Sequence, residues 1–125
     1  VRYLLDANCC IYLFTRDYPE LNRRVKASPS GEIGLSSVTF AEIAHGSARG
    51  LAPPPDALDR LAIEMPVLPF DEAAARAYAD LPFERGNFDR LLAAHAISTG
   101  LAVITRNTRH LAAMPGLRTE DWTRP

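Results

Sequence analysis

The chain has 125 residues, enough for one compact domain with a single hydrophobic core, and residues 1–125 are expected to form one unit. Hydrophobic residues make up 47% and charged residues 23%, an ordinary globular balance, and no apolar run approaches the roughly 20 residues needed to span a bilayer. A net charge of −1 excludes a globally basic nucleic-acid-binding surface, so any polyanion must be met by locally placed charges.

Arg2–Leu5 reads as a short buried strand ending at Asp6; a strand there, rather than a leader, makes a cytoplasmic location the expectation. Asn8 is placed to cap a helix running to about Phe14. Cys9 and Cys10 are adjacent, which disfavours a disulfide and lacks zinc spacing, so two buried thiols are expected. Pro19 opens a helix to about Ala27, and Ser28-Pro29-Ser30-Gly31 is a turn. Glu32–Leu35 is a second strand, followed by a helix from about Val38 to Ala48 that Gly50 ends. Pro53-Pro54-Pro55 stiffens the approach to a helix at Asp56–Ile63, and Val67–Phe70 is a third strand. Asp71–Leu81 is an alanine-rich helix broken by Pro82 and Glu84-Arg85-Gly86. Asn87 or Phe88 begins an amphipathic helix ending near Gly100, and Leu101–Thr105 is the most strand-like segment of the chain. A short helix at about Thr108–Ala113 and an edge strand near Leu117–Thr119 close it. Short apolar strands separated by helices predict an α/β fold: three layers, α/β/α, around a short, mostly parallel sheet.

In open parallel sheets, ligands bind beyond the carboxyl ends of the strands. Asp6 directly follows the first strand, and Asn107 lies just past Val103-Ile104-Thr105. Glu42 sits early in the helix after the second strand, and Asp89 starts the helix before Leu101–Thr105. Each has a structural role open to it. Asp6 can simply start a helix, Thr39-Phe40-Ala41-Glu42 has the form of a capping box, Asp89 suits a helix dipole, and Asn107 suits a cap. Their joint placement on one edge favours chemistry. Three gathered carboxylates repel unless a cation neutralises them, and Mg²⁺ takes carboxylates, waters and phosphate oxygens together. Such a site activates water and stabilises in-line phosphoryl displacement. No histidine pair stands at these boundaries for metal-free acid–base cleavage; His95, six residues from Asp89 and roughly 240° around the helix, is expected to pack.

Four stretches carry a family resemblance. Tyr3-Leu4-Leu5-Asp6-Ala7-Asn8 with Cys10-Ile11-Tyr12-Leu13, Ser36-Ser37-Val38-Thr39-Phe40-Ala41-Glu42-Ile43 with Gly46, Phe88-Asp89-Arg90-Leu91-Leu92-Ala93-Ala94-His95-Ala96, and Val103-Ile104-Thr105-Arg106-Asn107 stand in order along nearly the whole chain. Together they resemble the PIN-domain family, especially its VapC toxin branch; the ending Gly116–Trp122 resembles a common close of that branch. The resemblance implies an endoribonuclease of a toxin–antitoxin pair, cleaving a structured RNA such as tRNA and leaving 5′-phosphate and 3′-hydroxyl ends. It implies Asp6, Glu42 and Asp89 as catalytic, metal-binding acids, with Asn107 as a fourth ligand to Mg²⁺, for which Mn²⁺ can substitute. Many members carry an acid at that fourth position, so the amide here weakens the case for a second ion. Asn8 and Thr105 would orient the ligands, and Arg85, Arg90, Arg106 and Arg109 are candidate RNA-phosphate contacts. The same resemblance implies a small VapB-like antitoxin that covers the acidic groove, and a homodimer. Tyr12, Phe14, Phe40 and Phe88 are expected in the core. A catalytically weak PIN-like module that binds RNA or protein is the alternative. A phosphoacceptor receiver would need a lysine at the acids, and Lys26, the only lysine, falls in a peripheral helix.

Overall fold

The structure is a computed structural model, and it describes residues 1–82, 88–111 and 113–125. The chain alternates strand and helix: β1 (Tyr3–Leu5), α1 (Ala7–Thr15), α2 (Pro19–Ala27), β2 (Ile33–Ser36), α3 (Ser37–Ser47), α4 (Pro55–Glu64), β3 (Val67–Leu68), α5 (Glu72–Ala79), α6 (Phe88–Thr99), β4 (Ala102–Ile104), α7 (Thr108–Leu111) and β5 (Thr119–Glu120). The strands form one sheet in the order β3-β2-β1-β4-β5, and every pairing is parallel. The final strand lies one to two residues later than its sequence suggests, because Glu120, not Leu117, pairs with Ile104.

Alternation along each strand sends neighbouring side chains to opposite faces. Leu5, Leu35 and Ile104 join Cys9, Cys10, Leu21, Ile43 and Leu61 beneath one layer of helices. Leu4 and Val103 turn the other way, onto Leu92 and Ala96 of α6 and Leu111 of α7. Both faces of the sheet are therefore covered, giving the three-layer α/β/α arrangement. The two thiols are free and fully buried, as their adjacency requires. Phe88 departs from expectation: it is 50% exposed, outside the core.

Helix starts differ from the sequence reading in two instructive places. Asp6, not Asn8, caps α1, its carboxylate accepting the Cys9 N–H at 2.8 Å. Ser36 caps α3, accepting the Val38 N–H at 3.1 Å, so Thr39 already lies inside the helix. The capping box that would have given Glu42 a structural role does not form. Its carboxylate is left for other work.

Leu35 is fully buried on the central side of the sheet. Leu35→Ala is expected to cost about 2–5 kcal/mol, the usual range for a large-to-small change in a well-packed core. A urea midpoint that falls at unchanged slope would register it.

Candidate active site

A parallel sheet places all strand carboxyl ends on one edge. Here the chain goes from β1 to β2 on one side and later returns to lay β4 on the other, so the direction of winding reverses between β1 and β4. Loops diverge at such a switch point and open a crevice. Asp6 leaves β1 there, and Thr105 leaves β4 directly beside it.

Asp6 is held from both sides. Its Oδ1 accepts the Cys9 N–H, and its Oδ2 accepts the Thr105 hydroxyl at 2.5 Å. Thr105, itself fully buried, accepts the Asn107 N–H at 3.0 Å, and the Asp6 N–H is tied to the Ile104 carbonyl at 3.1 Å. The carboxylate is thus fixed by a helix turn on one oxygen and a neighbouring strand on the other. Asn8, expected to orient Asp6, does not do so: both Asp6 oxygens have other partners and Asn8 is exposed. Thr105 and the α1 backbone take that role.

The electrostatics tie the distant acids together. Asp6 is only 6% exposed, and burial pushes its carboxyl above the ordinary value; the hydrogen bonds from Thr105 and Cys9 oppose this, and the charge of Asp89 adds to it. Glu42 is also raised, by partial desolvation first and then by the charges of Asp89 and Asp6. The charge of Asp89 in α6 therefore bears on both Asp6 and Glu42, and that of Asp6 bears on Glu42 in α3. Among the described residues no cation contributes to either shift. The buried thiols of Cys9 and Cys10 are pushed upward by desolvation and by Asp6, so neither is a thiolate nucleophile.

As a test of fit, the donor set is all hard oxygen, which matches a divalent cation such as Mg²⁺ in kind. Its charge also invites one, since raised carboxyls in mutual repulsion are relieved by a cation. Among the described residues, however, no group of three or more His, Cys, Asp or Glu side chains is arranged to hold a metal ion outright.

The sequence matches the PIN domain family over residues 3–117. The chain belongs to the PIN-domain family. Its similarity runs to the VapC type: it is 31% identical to the tRNA(fMet)-specific endonuclease VapC of Shigella flexneri, over 98% of this chain and 99% of that one. It is likewise 31% identical to Ribonuclease VapC2 of Haemophilus influenzae, over 98% of both. Among solved structures, the DNA-bound VapBC of Salmonella typhimurium superposes with a TM-score of 0.83 at 29% identity, covering 98% of each chain. VapBC-1 of nontypeable Haemophilus influenzae gives 0.80 at 27% identity, over 99% of this chain and 100% of that one.

The remaining polar residues of this PIN domain divide into crevice and scaffold. Asn8, Asn107 and Arg106 line a cleft with Asp6, and Arg106 and Arg109 are exposed beyond the end of β4. Arg90 is scaffold rather than crevice. It is 9% exposed, and its Nη1 donates to the Pro82 carbonyl at 2.6 Å and toward Met114 Sδ at 3.5 Å. A guanidinium so engaged fastens the start of α6, and with it the backbone beside Asp89, instead of presenting charge to RNA. Arg85 lies outside the described residues. His95 packs, as its position on the helix implies: it is buried, its Nδ1 lies 2.7 Å from the Ser36 hydroxyl, and its ring meets Phe70 edge-on. Burial lowers its proton affinity.

Sequence reasoning missed two parts of this neighbourhood. One is Ser36, which caps α3 and meets His95; the run Ser36-Ser37 after an apolar strand was the available signal. The other is the ring of Tyr12, which packs against the core as expected but also lines the cleft beside Asp6. A larger hollow of about 440 Å³, lined by Phe14, Val25, Leu61 and Met65 together with the polar Arg16, Asn22, Lys26 and Glu64, contains none of the three acids.

Proposed function

We propose that this protein is a divalent-metal-dependent endoribonuclease acting as the toxin of a type II toxin–antitoxin pair in the cytoplasm. The observation that carries the reading is Asp6, held by Thr105 and the Cys9 N–H at the switch point of the sheet, its carboxyl raised in part by the charge of Asp89, as that of Glu42 is by Asp89 and Asp6. The relatives' names support the activity: two of them are called tRNA-specific endonuclease and ribonuclease, and the matching structures are VapBC assemblies. A structured RNA such as tRNA is the proposed substrate, a small VapB-like antitoxin covering the acidic crevice the proposed inhibitor, and a homodimer the proposed active form.

In this reading Asp6, Glu42 and Asp89 would hold Mg²⁺ or Mn²⁺, with Asn107, which shares a cleft with Asp6, as a neutral oxygen donor. The bound ion supplies charge neutralisation and an acidified water for in-line displacement at phosphorus. Everything else falls to the chain. Thr105 and the Cys9 N–H keep Asp6 in a single orientation, which fixes where the substrate phosphate must sit. The exposed Arg106 and Arg109 offset the repulsion between the acidic crevice and the RNA backbone.

The test is direct. Purified protein freed of antitoxin should cleave RNA with Mg²⁺ or Mn²⁺, leaving 5′-phosphate and 3′-hydroxyl ends, and should stop with a chelator. Asp89→Asn should remove the activity. Full cleavage by that variant, or cleavage undiminished by chelation, would overturn the reading. Asn107 and the unarranged ligand group favour one rival, a PIN domain that binds without cutting. That rival predicts no divalent-ion effect on melting temperature and no cut ends.

A further inference from the structure

The cleft beside Asp6, of about 220 Å³, is lined by Asp6, Asn8, Tyr12, Arg106 and Asn107. It is smaller than the roughly 300–1,000 Å³ of sites that take drug-sized ligands, so it has room for a base and not for a whole enclosed nucleotide. Tyr12 and Tyr18 are half-buried and packed edge-to-face, with ring centroids 4.7 Å apart at 64°. The Arg106 guanidinium lies over the Tyr18 ring, 5.0 Å from its centroid. Among the described residues Arg106 has no carboxylate partner, so its charge is held in place by an aromatic face without being neutralised. Nor do the hydrogen bonds of the described residues commit the side chains of Asn8, Tyr12 or Asn107.

We infer that Tyr12 and Arg106 form a subsite for one unpaired nucleotide of the RNA next to the cleavage point. The base rests against the Tyr12 ring, the flanking phosphate is taken by Arg106, and Tyr18 acts only as a positioning residue for that guanidinium. The inference rests on the ribonuclease reading above. Three observations drive it. An aromatic ring, a cation and the uncommitted amide of Asn8 share one small cleft, which is the chemistry that holds splayed-out single-stranded nucleotides. The cleft abuts Asp6, so an occupant is delivered to the acids. And a phosphate beside a buried carboxylate needs a fixed counter-charge, and Arg106 is the cationic side chain among the residues that line the cleft.

The experiment uses the full-length protein as Glu42→Gln, with a short fluorescent single-stranded RNA followed by anisotropy over a series of salt concentrations. Adding Tyr12→Leu should weaken binding roughly fivefold or more, the usual loss for a stacked base, while Tyr12→Phe retains it. Adding Arg106→Gln should weaken binding and flatten the dependence of log affinity on log salt by roughly 0.7, one phosphate contact on a single strand. Tyr12→Leu should leave that slope unchanged, and Tyr18→Leu should act like a milder Arg106→Gln. Arg106 is exposed, so its replacement tests the subsite even if Tyr12→Leu unfolds. Unaltered affinity and slope in Arg106→Gln overturn the inference. If the wild-type protein fails to cut RNA while these binding losses appear, the ribonuclease reading falls and the subsite stands; cleavage with no binding losses does the reverse.

Discussion

Replacing Asp6 by Asn is expected to give a folded protein whose RNA cleavage is reduced by at least about 100-fold, the scale for losing a principal electrostatic group of a reaction centre. The fold should survive because Asn retains an oxygen for the Cys9 N–H, the bond that starts α1. Asp6→Ala should be equally inactive and also less stable, by about 0.5–2 kcal/mol for the lost cap. The pair separates chemistry from folding, which a single substitution at a residue with two duties cannot do. Asp6→Asn should also change how stability responds to pH. Burial raises the folded-state carboxyl above its ordinary 3.8, so between that value and the raised one the native state holds more protons than the unfolded chain. Stability of the metal-free protein therefore falls as pH rises through that window. Glu42 is shifted the same way and adds to the slope, so Asp6→Asn should flatten the curve without abolishing it. Thermal melts in chelator across the acid range, alongside a cleavage assay, check both halves. An active Asp6→Asn protein would remove this carboxylate from the mechanism.

The second large effect is on the protein without any RNA. If the three acids gather one divalent ion only when folded, Mg²⁺ or Mn²⁺ must stabilise the native state by mass action. At about 100 times the dissociation constant this is worth about 2.7 kcal/mol, or roughly 10 °C in melting temperature for a chain of this size. Glu42→Gln and Asp89→Asn should melt normally in chelator but lose most of the metal-induced rise. Asn107→Asp should enlarge it, by restoring an acid to the fourth position of the crevice. The rise should shrink as pH falls through the raised carboxyl values, since protons and metal compete for the same oxygens. Equal shifts in wild type, Glu42→Gln and Asp89→Asn would mean the ion binds elsewhere.

Most of the architecture was legible in the sequence because a doubly covered parallel sheet leaves a strong trace. Leu4-Leu5 and Val103-Ile104 must be apolar at consecutive positions, one for each face, and that pattern marks the central strands. Asp6, ending the first of these, marks the carboxyl edge directly. Local capping was less readable. Asp6 and Asn8 are both good caps two residues apart, and Ser36, Ser37 and Thr39 compete in the same way; which oxygen reaches which N–H depends on where the strand lets go of the backbone. Arg90 was misjudged for a tertiary reason. Its carbonyl and thioether partners, on Pro82 and Met114, are 8 and 24 residues away and show no pattern in the chain. Tyr12 packs against the core as expected and lines the cleft in addition. Its helical spacing suggests core, and one edge of it does pack on Tyr18, yet a ring is wide enough to face the cleft as well.

The bond between Asp6 and Thr105 spans 99 positions. The segment bearing Asp6 is made before the strand bearing Thr105, so the carboxylate cannot be locked until that strand has emerged from the ribosome and been laid alongside. On the proposed reading, a nascent toxin stays harmless to its own translation machinery until that strand is in place, and fragments truncated before residue 105 are inert however well their early helices form.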